Sequence, residues 1–226
     1  MTTNPHAKDP EASDRYLPAL RFGALTRFFD PLIGRAVPER RLKQGLIERA
    51  VIAPGQRVLD LGCGTGTLAI MAKDAQREAE VVGLDADPEI LALARSKAEA
   101  EGAEVRFDRG MSTELPYEDG SLDCVLSTLF FHHLSSADKR HTAAEVTRVL
   151  RPGGELHVAD FGPPSDPLMR VLFGAVRLFD GLERTRDNAA GALPEIFERG
   201  GLADAEETDR LRTAFGTLSL YRARKP

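Results

Sequence analysis

No apolar run in the sequence approaches the ~18 residues of a membrane span, and no basic start followed by an apolar core marks a signal peptide, so the chain reads as soluble and cytoplasmic. Cysteine is scarce. Its two positions, Cys63 and Cys124, fall in a glycine turn and in a buried-strand pattern, which argues against a disulfide framework and against a thiolate metal site. Positive charge is not in excess either: 30 Lys and Arg against 35 Asp and Glu give a formal net charge of −5. That balance offers no general attraction to polyphosphate and argues against an RNA or DNA substrate. There is no internal repeat. What is present, 226 residues with 42% hydrophobic content, fits one α/β domain with a cap more readily than two full domains.

Residues 57–67, RVLDLGCGTGT, organise the rest. Val58, Leu59 and Leu61 read as a short buried strand, and Gly62, Gly64 and Gly66 turn the chain sharply into a helix beginning near Thr67. Such a turn brings bare backbone N–H groups and a positive helix terminus close to whatever lies over the strand end. A dinucleotide fingerprint would need its third glycine at position 67, where a threonine stands. Here the glycines alternate, and Asp60 sits just before them.

The spacing D-x-G-x-G-x-G resembles the first motif of class I S-adenosylmethionine-dependent methyltransferases of the small-molecule kind, and the resemblance continues in register over residues 57–161. VVGLD, ending at Asp85, is similar to the second strand; GMSTELP, residues 110–116, to the adenine-side loop; LDCVLS, residues 122–127, to the fourth strand; LRPGGELHV, residues 150–158, to the turn into the fifth. The resemblance implies S-adenosyl-L-methionine as cofactor and S-adenosyl-L-homocysteine as product. It implies that Asp85 accepts from both ribose hydroxyls, with Ala86 beside it, and that Asp60 orders the glycine turn and helps place the methionine ammonium. Ser127 supplies a further cofactor contact at the fourth strand's end. The adenine loop departs from the family pattern: Met111 stands where an aspartate is usual, and Ser112 follows. Met111 is expected to pack on the adenine face, the alternative being a core methionine.

After the fourth strand come Phe130, Phe131, His132 and His133. An imidazole here can take a proton from a hydroxyl or phenol as it attacks the methyl carbon, with His133 slightly ahead of His132; otherwise a histidine here only satisfies a backbone carbonyl. No metal pair is suggested.

Alternating strands and helices predict a doubly wound, Rossmann-like sheet of seven strands, six parallel and one reversed, with the ligand beyond the carboxyl ends of the strands. Residues 1–14 are expected to be a disordered tail, residues 15–50 a helical N-terminal lid, and residues 51–226 the methyltransferase domain with a helical cap at about 162–200. In the cap, Val171, Leu172, Phe173, Val176, Leu178 and Phe179 recur at helical spacing and read as core or as pocket lining, while Arg184 and Arg186 read mainly as solvated charge. The expected activity is methyl transfer to a small-molecule acceptor by in-line displacement. A protein that binds the cofactor without turnover is the alternative. The oligomeric state stays open.

Overall fold

The computed structural model describes residues 39–226, without the side chains of residues 179 and 180. The expected tail and most of the expected lid, residues 1–38, lie outside the described residues. The chain first forms helix α1 (Glu39–Ala50), strand β1 (Arg57–Leu61), helix α2 (Thr67–Ala75), β2 (Glu80–Asp85), α3 (Pro88–Glu101), β3 (Arg106–Arg109) and β4 (Leu122–Thr128). A 3-10 turn (Phe131–His133), α4 (Ser136–Val149), β5 (Leu150–Phe161), α5 (Pro167–Asp180), α6 (Arg186–Ala190), α7 (Leu193–Arg199), β6 (Ala203–Thr213) and β7 (Gly216–Arg224) complete it.

Local signals set most of these boundaries. Asp87 caps α3 by accepting from the Glu89 and Ile90 N–H groups, Pro88 takes the first helical position where no N–H is needed, and Gly102 ends the helix in the left-handed region. Ser135 caps α4 and Asp166 caps α5 in the same way, each accepting from the N–H three residues on.

The strands run in the order β3-β2-β1-β4-β5-β7-β6, with β7 antiparallel to both of its neighbours and the other pairings parallel. The chain therefore moves outward from β1 through β2 and β3, then reverses at β4. The crevice at that reversal, over the ends of β1 and β4, is where open sheets of this kind bind ligands. Two apolar layers cover the sheet. On one face α1, α2, α3 and α5 pack with Val58, Phe107, Cys124, Phe161 and Leu220; on the other α4 and α7 pack with Leu59, Val125, Val158 and Tyr221.

Two expectations shift. The helix Glu39–Ala50, grouped with the lid in sequence, buries Leu42, Leu46 and Ile47 in the same cluster as Val58 and Leu68, so it belongs to the body of the domain. Residues 151–154, expected as a turn before the fifth strand, are instead the irregular start of β5: Gly153 N–H donates to the Lys225 carbonyl and Lys225 N–H to the Gly154 carbonyl.

Candidate functional site

Gly62 follows β1 at φ 70° and Gly64 stands at φ 51°, both in the left-handed region that side chains disfavour. Their surroundings differ. A Cβ on Gly62 would lie 2.3 Å from Phe130 Cδ2, whereas a Cβ on Gly64 would meet none of the described residues within 4 Å. Gly62 lets the β1 and β4 connections approach each other; Gly64 leaves bare backbone that no other described residue covers. Gly66, in the left-handed region at φ 74°, then starts α2 with no side-chain cap. That leaves the positive end of the helix directed at the same crevice.

Two carboxylates hold this turn. Asp60, fully buried, accepts the Ala69 N–H at 3.0 Å through Oδ2, while its Oδ1 is buried with no partner. Burial raises its pKa to about 7, against the opposing pull of Lys43 and the Ala69 bond. Asp85, half-buried at the end of β2, accepts from Gly64 N–H at 3.0 Å through Oδ2 and from Asp87 N–H at 3.0 Å through Oδ1. A carboxylate has about four acceptor positions, so two further donors can be met without breaking these bonds. Ala86 follows, its carbonyl accepting from Arg109 Nε at 3.2 Å.

On the β3 side, Met111 is 41% exposed and forms a short bridge with Glu114, which rules out the core-methionine alternative. Ser112 points elsewhere. It is buried, and its hydroxyl accepts from Thr142 Oγ1 at 2.9 Å, tying the loop to α4. Ser127 is fully buried; it donates to the Leu61 carbonyl at 2.9 Å and so fastens β4 to the end of β1. Each hydroxyl thus makes a bond within the protein framework.

Beyond β4, Leu129 adopts φ 52°, a conformation of one to three kcal/mol in approximate strain for a residue with a side chain. His132 is buried, and its Nδ1 lies 2.7 Å from Asp160 Oδ1. The partner is thus a carboxylate from the end of β5, not the backbone carbonyl of the alternative reading of these histidines. His133 lies beside it with ring centroids 4.0 Å apart, and it is exposed. The His132 imidazole is the main cause lowering the His133 pKa; desolvation, the second cause, carries less weight for an exposed ring. Asp160 is not among the site residues expected from the sequence. Burial alone would raise its pKa, but the His132 ring and the bonds from His132 and Phe161 outweigh burial and hold it low.

The glycine turn, Asp60, Asp85, Ala86 and Met111 lie at or just beyond the carboxyl ends of β1, β2 and β3. They fit an adenosyl ligand by three features: backbone at Gly64 that no other described residue covers, acceptor capacity on Asp85, and an orphaned buried oxygen on Asp60 that awaits a donor. Two shallow hollows elsewhere on the described surface, one beside Glu114 and Arg148 and one beside Arg151 and Arg222, contain none of these residues.

Residues 58–154 match the family described as a methyltransferase domain. The chain is 41% identical over 163 residues to a protein of Thermus thermophilus named demethylmenaquinone methyltransferase, covering 70% of this chain and 73% of that one. Among solved structures, the YcgJ protein of Bacillus subtilis superposes with a TM-score of 0.68 at 22% identity, over 82% of this chain and 98% of that one. A Haemonchus contortus N-methyltransferase solved with phosphomonomethylethanolamine and S-adenosylhomocysteine gives 0.65 at 19% identity, over 81% of this chain and 52% of that one.

Proposed function

The chain belongs to the class I S-adenosylmethionine-dependent methyltransferases, and from that premise we propose that it methylates an apolar small molecule bearing a phenolic or hydroquinone ring, bound on the β4 side of the glycine turn. The observation that carries the cofactor half of this reading is the pairing of Gly64, its backbone uncovered by other described residues, with Asp85, whose carboxylate holds that same backbone and keeps acceptor capacity. The acceptor half is supported by the name of the Thermus relative.

Bound S-adenosylmethionine supplies a methyl group already activated on a sulfonium. The chain's own residues then have three tasks. Asp85 accepts from the adjacent ribose hydroxyls, each bond strengthened by the carboxylate charge. Asp60 receives the methionine ammonium, directly or through a water, at its orphaned Oδ1. Met111 lies over the adenine, where its polarizable thioether suits a flat ring, and Ala86 borders the same side. Alignment of acceptor, methyl carbon and sulfur can itself lower the barrier by roughly 7 to 11 kcal/mol. A quinone ring is electron-poor, so the nucleophile is its reduced form. Loss of a phenolic proton raises the electron density of the ring carbon that attacks, and His132 or His133 is the group assigned to take that proton. A C–CH3 bond forms as the S–CH3 bond breaks, and the displaced ring proton leaves to solvent.

The test uses the purified chain with methyl-tritiated S-adenosylmethionine and a chemically reduced short-chain demethylmenaquinone, with phosphoethanolamine in a parallel reaction. Label extracted with the quinone supports the proposal. Cofactor binding by calorimetry without label on the quinone would remove the acceptor assignment and leave the cofactor site; label on phosphoethanolamine instead would redirect it to an amine.

A further inference from the structure

Asp160 closes β5 next to the strained end of β4, and every lone-pair direction of its fully buried carboxylate is taken. Oδ2 accepts from Phe130 N–H at 3.1 Å and His132 N–H at 3.2 Å; Oδ1 accepts from Phe161 N–H at 2.7 Å and is paired with His132 Nδ1 at 2.7 Å. Leu129 N–H adds a bond to the Ala159 carbonyl at 2.8 Å. Residues 129–133 are therefore fastened to the end of β5 along most of their length, and the left-handed Leu129 is kept there by its neighbours' bonds. The His132 ring is also held on its faces, with Phe161 edge-on at 5.0 Å and His133 tilted at 4.0 Å.

We propose that Asp160 is the positioning residue of the methyl-transfer site: it fixes the connection after β4 and locks His132 in the tautomer that carries its proton on Nδ1. This rests on the functional reading above. A carboxylate beside Nδ1 keeps a proton on that nitrogen and fixes the orientation of the ring. An orienting acid of this kind acts through the imidazole and touches no substrate. Substituting Asp160→Asn keeps the shape but sets an NH2 against N–H donors: with the NH2 at the Oδ2 position the bonds from Phe130 and His132 N–H are lost, and with it at the Oδ1 position the Phe161 bond and the acceptor for Nδ1–H are lost.

Nitrogen-15 NMR of histidine in the wild-type chain reads the tautomer directly and needs neither acceptor nor variant. The expected spectrum shows His132 protonated on Nδ1; protonation on Nε2 alone would overturn the proposal. In Asp160→Asn, turnover at saturating cofactor should fall about ten- to a hundredfold while the calorimetric affinity for S-adenosylhomocysteine is unchanged. In the double variant with His132→Ala, the Asp160 substitution should reduce turnover no further, whereas additive losses would mean that the carboxylate acts only on the fold. If Asp160→Asn does not fold, the wild-type spectrum decides. Failure of the wild-type chain to bind S-adenosylhomocysteine would instead fault the functional reading, and the tautomer measurement separates the two.

Discussion

Gly62 and Gly64 share one turn and one backbone region, yet an added methyl group should separate them. At Gly64 the methyl meets none of the described residues, so Gly64→Ala carries only the left-handed strain of about 1–2 kcal/mol and should remain folded. It should nevertheless lose calorimetric binding of S-adenosylhomocysteine; wild-type affinity would place the ligand somewhere else. Gly62→Ala must also displace the Phe130 ring, and a larger drop in melting temperature is expected. Asp60 makes a different claim, on pH. Its folded pKa of about 7 stands above its ordinary 3.8, so between those values the folded chain binds a proton that the unfolded chain does not. The resulting stabilisation is complete below the unfolded value and is lost as pH rises through about 7. Wild-type stability minus that of Asp60→Asn should therefore fall by about 1.4 kcal/mol per pH unit across that window. Urea titrations at several pH values measure the slope, and parallel pH profiles would show that Asp60 is solvated or already ionised. Asp85 and the glycines were readable because their chemistry depends on position at a strand end, which local pattern reveals. Asp160 was not, since its partners Phe130 and His132 lie 30 and 28 residues earlier and only the β4–β5 pairing brings them together.

Among the elements, α5 shows why periodicity found a helix but not its orientation. Apolar residues recur around much of it, and the sequence gives no means of choosing which stripe meets the sheet. In the fold Met169 and Phe173 turn inward, Phe173 stacking on Phe161 at 4.9 Å, while Val171 and Leu178 are 72% and 76% exposed. Phe173→Ala should destabilise by about 3–5 kcal/mol. Val171→Ala, outside the core, should stay within about 0.5 kcal/mol. Equal effects in urea denaturation would mean that α5 is rotated. The short helix α6 escaped sequence reading because five residues hold too little of a 3.6-residue period, and its framework is polar. Lys139 of α4, buried with its pKa lowered chiefly by desolvation, donates to the Arg184 carbonyl and lies 3.5 Å from Asp187, while Ser136 donates to that same carboxylate at 2.6 Å. Arg184 thus contributes its backbone to the attachment of the cap, a role that a reading of its charge alone could not reveal.

At the scale of the whole molecule, the reversal of strand order at β1 and β4 makes the ligand site a junction of segments distant in sequence. The turn before α2, Asp85 at the end of β2, and the loop after β3 that is proposed to face the adenine all lie at the carboxyl ends of the parallel strands. That architecture was legible because the strand and helix patterns alternate and a parallel sheet admits few connections. It also has a thermodynamic consequence. An unfolded chain does not hold these segments together, so a ligand gripping all of them binds only the native state and stabilises the entire fold. S-adenosylhomocysteine at 100 times its dissociation constant should add about 2.7 kcal/mol. For a domain of this size each kcal/mol raises Tm by about 2–4 °C, so scanning calorimetry should record an increase of roughly 5–11 °C. The Asp85→Ala variant should begin less stable, because the Gly64 and Asp87 N–H groups lose their acceptor, and at the same ligand concentration its increase should largely vanish. An equal increase in both proteins would show that the ribose hydroxyls are held by another residue; no increase in the wild type would remove the adenosyl ligand from the crevice altogether.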